Sequence, residues 1–221
     1  MLGGDDKVRE PYADYKGWLD NEDIKRLHRK SDDAEAFFRR TGITFNVYGE
    51  DDGDERLIPF DVIPRILSGN EWRKLSRGIE QRVKAINAFL YDIYHRQEIL
   101  RAGRIPVDLI ANNIAFLPQM IGVDPPGGIY THIIGTDIVR TGPDEFYVLE
   151  DNARTPSGVS YMLENRETML HMFPELFAKI GVQEVSSYPN KLRRSLAACA
   201  PPKAGGRCPD AGHPQQCLFR A

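Results

Sequence analysis

Apolar residues recur every three or four positions from Trp72 to Ile93: Trp72, Leu75, Ile79, Val83, Ile86, Leu90 and Ile93. That spacing predicts a long helix with one apolar face turned to a core. Ser68-Gly69-Asn70-Glu71 stands at its start and fits a capping box, where Ser68 and Glu71 satisfy two free backbone N–H groups. Arg82 and Asn87 lie on the same helix, where they read as surface groups. Asn21–Arg40 reads as a charged helix carrying Ile24, Leu27, Ala34, Phe37 and Phe38, ended by Gly42. Ile43–Tyr48 alternates like a strand, and Gln97–Gly103 reads as a shorter helix closed by Gly103. Tyr161–Ile180 predicts one further helix through Met162, Leu163, Met169, Leu170, Met172, Phe173, Leu176 and Phe177. Lys191–Ala198 predicts the start of another.

Between these helices the period drops to two. Ile129–Arg140 and Phe146–Asn152 read as strands rich in Ile, Val, Tyr and Phe, and Thr141–Glu145 between them is full of turn formers. Pairing the strands around that turn sets Val139 opposite Val148 and Asp137 opposite Glu150. Side chains alternate along a strand, so Asp137, Glu150 and Asn152 are expected on one face. Two carboxylates facing each other repel, and a divalent cation between them removes that cost. Magnesium takes a few hard oxygens and leaves its other positions to water and phosphate oxygens. A small-residue loop follows at once, with Pro156, Ser157, Gly158 and Ser160. The expected metal ligands are therefore Asp137, Glu150 and Asn152.

The spacing Asp-x12-Glu-x-Asn followed by a Pro/Ser/Gly loop resembles the metal-binding hairpin of ATP-grasp ligases. The longer string VLEDNARTPSGVSYMLENR (Val148–Arg166) is closer still to the circularly permuted ATP-grasp proteins of type 2, related to glutathionylspermidine synthase. The resemblance extends through ITFNVY (Ile43–Tyr48), IPRILSGNEW (Ile63–Trp72) and EQRVKAINAFLYDIY (Glu80–Tyr94), and covers about Asp20 to Ala200. It implies an α/β (α+β) fold: part of a circularly permuted ATP-grasp domain over residues 16–200, with a mixed or antiparallel sheet and flanking helices.

The activity it implies is an ATP- and magnesium-dependent carboxylate–amine ligase. A substrate carboxylate attacks the γ-phosphoryl group of ATP, and an amine then captures the acyl phosphate. Asp137, Glu150 and Asn152 would hold Mg²⁺ between the β- and γ-phosphates. Arg154 or Arg140 would neutralise developing phosphoryl charge. Alternation points Arg140 to the face opposite Asp137. Ser157, Gly158 and Ser160 would bind the phosphoryl group or the substrate carboxylate. Related ligases place an arginine two residues before the metal aspartate, where this chain has Gly135. No glycine-rich phosphate loop ending in Gly-Lys-Ser/Thr is present. The permuted order would put the nucleotide pocket in a later half, so this chain is expected to hold half a site and to be inactive alone. Two other readings stay open: a non-catalytic remnant that binds a partner chain or peptide, and a metal-dependent phosphodiesterase or nuclease.

Composition narrows the classes. The chain has 221 residues, 41% hydrophobic and 28% charged, with net charge −3. One ordinary domain is the default. That charge gives no footprint for nucleic acid or an anionic membrane. No apolar run reaches a membrane span, and the first residues, MLGGDDKVREP, lack a signal-peptide core. A cytoplasmic protein is expected. Its partners would be small-molecule or peptide carboxylates and amines, and its exposed sheet edge would favour self-association. Residues 1–15 are expected to be poorly ordered. Glu50–Glu55 (EDDGDE) reads as a solvated loop, and Val123–Gly128 (VDPPGG) as a connector. From Pro201 periodicity is lost, and a disordered tail is expected over 201–221. Residues 207–221 can be encoded by bases that, shifted by one, read V-V-L-T-P-G-I-H-N-S-A-Y-F-E. A frameshifted tail on a truncated chain is thus an expectation, and it makes the even spacing of Cys199, Cys208 and Cys217 an accident.

Overall fold

The structure is a computed structural model, and it describes residues 1–3, 7–45 and 56–200. The expectations for Glu50–Glu55 and for the tail, with Cys208 and Cys217, fall outside those residues. The chain divides into two compact units, one of residues 1–69 and 157–188, the other of residues 70–156 and 189–200. Helices dominate and the strands pair antiparallel, so the fold is α+β as expected.

The first unit is built on α1 (Ala13–Leu19), α2 (Ile24–Thr41), α6 (Val159–Met172), α7 (Pro174–Ile180) and a short pair, β1 (Thr44–Phe45) with β2 (Arg56–Leu57). Asp23 starts α2 by accepting a hydrogen bond from the Lys25 N–H at 3.0 Å. Gly42 ends it in the left-handed region at φ 71°. An added Cβ at Gly42 would meet no atom within 4 Å, so only backbone strain opposes a side chain there. Gly42→Ala is expected to cost about 1 kcal/mol in urea unfolding. A neutral result would show that the left-handed cap is not held in solution.

The core of this unit gathers Tyr12, Tyr15, Ala34, Met172, Phe173 and Leu176. Phe38 is also buried and meets Phe60 edge-on at 5.5 Å. Two expectations change here. Glu10–Tyr12 forms a 3-10 turn leading into α1, and Tyr12 and Tyr15 are buried, so the end of the 1–15 segment belongs to the core. Polar neighbours in the sequence conceal two aromatic anchors. The expected helix over Tyr161–Ile180 is two helices. Phe173 leaves helical geometry at φ −135° and ψ 50°, because the proline ring at 174 disfavours helix in the residue before it.

Tyr15 is 1% exposed and donates its hydroxyl to the Val62 carbonyl at 3.1 Å. Burial, and then the nearby Asp61 charge, pushes its phenol up to about 12. In an unfolded chain the phenol ionises near about 10. The raised value therefore adds stability that is fully present below pH ~10 and is lost as pH rises towards ~12. Urea midpoints of the wild type should fall across that window, and Tyr15→Phe should fall less steeply. Parallel curves would refute the assignment.

The second unit holds α3 (Gly69–Tyr94), α4 (Glu98–Arg101), α5 (Asp108–Ala111), the hairpin β3 (Gly135–Gly142) with β4 (Glu145–Asn152), and most of α8 (Tyr188–Ala198). α3 begins directly after Ser68, as the capping signature predicts. Its apolar face is half-buried to buried from Leu75 to Ile93, but Trp72 is 45% exposed. Asp92 caps α4 by accepting from the Glu98 and Ile99 N–H groups at 2.8 and 2.9 Å. Those bonds, the one from Ile99 first, hold its carboxyl below the usual range. Asn87 accepts from the N–H groups of Tyr130 and Thr131 at 2.8 and 3.2 Å and donates to the Thr131 hydroxyl at 3.2 Å. It ties α3 to the segment that leads into β3 and is no free surface group. Among the described residues no helix is long and apolar enough to cross a membrane.

Candidate functional site on the β3–β4 hairpin

β3 starts at Gly135 rather than Ile129, and the turn is tighter than expected, with Gly142 paired to Glu145 around Pro143-Asp144. Asp144 takes φ 58°, a left-handed value that Asp tolerates in turns. At the base of the hairpin Gly135 pairs with Asn152, Thr136 with Asp151 and Asp137 with Glu150. The expected opposition of Asp137 and Glu150 is therefore present. Val139 faces Tyr147, not Val148, because the register shifts twice. Thr141 is an extra residue on β3 and Leu149 an extra residue on β4. The two shifts cancel, which is why a bulge-free count still places Asp137 opposite Glu150.

The bulge at Leu149 has a second effect. Phe146, Val148 and Asp151 pair with Arg140, Ile138 and Thr136, whose even spacing puts them on one face. Uninterrupted alternation from Phe146 through Val148 would carry Glu150 to that same face. The extra residue resets the phase, as bulges do. Burial follows this division except at Val148, which pairs on the first face yet is 37% exposed. Thr136, Ile138, Arg140, Phe146 and Asp151 are half-buried, whereas Asp137, Val139, Tyr147, Leu149, Glu150 and Asn152 are exposed, Leu149 at 70%.

The sheltered face is clamped to α3 at both ends. Near the turn, Arg140 pairs with Glu71, donates from Nε to the Gly142 carbonyl at 3.1 Å, and lies over the Phe146 ring at 5.1 Å. At the base, Arg82 donates from Nε to Asp151 Oδ2 at 2.6 Å, and the Thr136 hydroxyl donates to Asp151 Oδ1 at 3.0 Å. Lys74 donates to the Asp144 carbonyl at 3.1 Å. From Glu71 to Arg82 is about 16 Å of helix. From Arg140 to Thr136 is about 13 Å of strand. Helix and hairpin therefore run side by side with matched clamps.

On the open face Asn152 donates from Nδ2 to Glu150 Oε1 at 3.2 Å. Its amide oxygen stays available, so the face offers two carboxylates and an amide carbonyl. These are hard oxygens, the donor set that magnesium accepts. Among the described residues no group of three or more His, Cys, Asp or Glu side chains forms a metal cage. Gly135 lies directly beside Asn152. A Cβ there would be 3.3 Å from Pro156 Cβ and 3.6 Å from Asn152 Cβ. A side chain at 135 would therefore press on Pro156, which would have to shift by a few tenths of an ångström.

The other expected site residues are dispersed. Arg140 is held by Glu71 on the sheltered face. Arg154 is exposed. Ser157, Gly158 and Ser160 belong to the first unit, where Gly158 at φ 93° precedes α6. Gly127 and Gly128 take φ 68° and 69° in a 3-10 turn and line an open groove of about 620 Å³ with Lys84, Tyr91 and His132. Cys199 Sγ lies 3.8 Å from His132 Nδ1. The clamps at Glu71 and Arg82 carried no local signal, because each joins residues about 70 positions apart in the chain.

A family model described as circularly permuted ATP-grasp type 2 matches residues 64–209. An uncharacterised protein of Synechocystis sp. is 45% identical over 192 residues, which is 87% of this chain and 39% of that one. An uncharacterised protein of Mycobacterium tuberculosis (strain H37Rv) is 44% identical over 189 residues, 86% of this chain and 34% of its own length. A Frankia casuarinae protein named "Putative glutamate--cysteine ligase 2-2" is 36% identical over 165 residues, 75% of this chain and 19% of its own. The chain thus spans well under half the length of these relatives.

Proposed function

The chain belongs to the circularly permuted ATP-grasp type 2 family, and from that premise we propose that it supplies the metal-binding part of an ATP-dependent carboxylate–amine ligase. The observation that carries the reading is the convergence of Asp137, Glu150 and Asn152 on the one open face of a hairpin whose other face is clamped down. The name of the Frankia relative is in keeping with a ligase that joins an amino-acid carboxylate to an amine. Magnesium would be held by Asp137, Glu150 and the Asn152 amide oxygen. When bound it would neutralise charge on the β- and γ-phosphates of ATP.

The chain's own residues then have distinct tasks. Asp137 and Glu150 supply the negative charge that draws the cation, and Asn152 steadies Glu150 by its hydrogen bond. Arg154, exposed just beyond β4, is the cation proposed for the transferring phosphoryl group, because Arg140 is engaged by Glu71. The parts proposed for Ser157, Gly158 and Ser160, as donors to the phosphoryl group or the substrate carboxylate, rest on their place in the chain directly after the hairpin.

Water-proton relaxation with Mn²⁺ tests the reading without any turnover. The wild type should bind Mn²⁺, with the affinity at least ~10-fold weaker in Glu150→Gln and in Asp137→Asn, since each removes one of two charged ligands. Titrations that superimpose for all three proteins would remove the metal from this hairpin.

A further inference from the structure

Asp151 stands between two of the proposed metal ligands in sequence and points the other way. It is half-buried, and both of its carboxylate oxygens are engaged, Oδ2 by Arg82 at 2.6 Å and Oδ1 by Thr136 at 3.0 Å. One partner comes from α3 and the other from the facing strand. The bulge at Leu149 lies two residues earlier. Bulged strands can slip, and a slip of one residue exchanges the two faces. Without an anchor beyond the bulge, the last residues of β4 could resume alternation from Val148 and turn Glu150 towards α3. The two bonds to Asp151 oppose this, because a slip would break the bonds from Arg82 and from the Thr136 hydroxyl at once.

We infer that Arg82 and Thr136 are positioning residues that act through Asp151 to keep Glu150 and Asn152 on the face of Asp137. The inference rests on the metal reading of that face for its functional meaning, but the anchoring itself does not. Neither Arg82 nor Thr136 touches the proposed cation. The clamp between Arg140 and Glu71 fixes only the turn end, on the far side of the bulge. The phase of the metal face is therefore set from beneath, by residues that a search for metal ligands would pass over.

Two readouts on the whole chain test this: amide hydrogen exchange across the hairpin, and Mn²⁺ affinity by water-proton relaxation, for wild type, Arg82→Met, Arg82→Lys, Thr136→Val and Glu150→Gln. In Arg82→Met, exchange should quicken at residues 135–137 and 150–152 but not at Arg140 or Phe146, which the turn-end clamp holds. Mn²⁺ affinity should fall about tenfold, the lower end of what lost ligand orientation costs a metal site. Arg82→Lys should recover most of both effects, and Thr136→Val should show a smaller version of each. Exchange that is unchanged, or that quickens evenly along the hairpin, overturns the inference. So does local quickening with Mn²⁺ affinity intact. If wild-type Mn²⁺ binding is insensitive to Glu150→Gln, the metal reading falls by itself, and the exchange pattern alone decides whether Arg82 holds the strand.

Discussion

Arg140→Met is expected to destabilise the second unit by about 3–5 kcal/mol, the usual cost of removing one partner from a buried ion pair. Glu71 is 8% exposed at its side chain and Arg140 22%, so neither charge is well solvated when separated. The guanidinium also bonds the Gly142 carbonyl and covers Phe146, so its loss removes packing as well as charge. The double variant Arg140→Met, Glu71→Met should recover most of the loss, because two apolar side chains of similar length leave no charge without its partner. Urea unfolding followed through Trp72, in a Trp18→Phe background that leaves one tryptophan, reports on this unit. A single variant as stable as the wild type would mean that the pair is open to water in solution. A double variant no better than the single would mean that packing, not charge, is what Arg140 contributes.

ATP-dependent phosphate release is expected to fall about 10²–10³-fold on Asp137→Asn or Glu150→Gln, since each change removes several kcal/mol of charge stabilisation around the transferring group. The measurement belongs on this chain joined to the further length its relatives carry, of which it spans 39% or less in the comparisons above. Glu145→Gln is the matched control. It lies on the same hairpin, but its carboxylate is engaged by the Thr141 hydroxyl at 3.2 Å near the turn. The control should leave the rate within about twofold. Equal losses in all three would indicate a general effect of hairpin charge, and no loss in the first two would end the assignment of Asp137 and Glu150 to the reaction.

The pairing of Asp137 with Glu150 was legible in the sequence, for a reason that depends on luck as well as rule. Strand alternation and a short turn fix the register of a regular hairpin. This hairpin is irregular, but its two bulges cancel at the base, so the simple count reached the right pair while misplacing Val139. Two local signals were also sufficient: the Ser68–Glu71 pattern marked the start of α3, and Gly42 marked the end of α2. Pro174 carried the signal for the break after α6, and the run of apolar residues on either side outweighed it. Tyr12 and Tyr15 were lost among polar neighbours for the same reason, because periodicity weighs a stretch and burial is decided residue by residue.

The sequence by itself determined which residues are proposed for the chemistry, two carboxylates and an amide at the base of a hairpin, a family resemblance that the matched family supports, and helices whose faces follow a 3.6-residue period. Only the tertiary structure decided which face those residues occupy. Glu71 and Arg140, Arg82 and Asp151, and Gly135 and Pro156 meet across separations of 69, 69 and 21 residues. No local propensity encodes such meetings. They arise because a helix rising about 1.5 Å per residue and a strand rising about 3.3 Å come to lie side by side, so that charges far apart in the chain coincide in space.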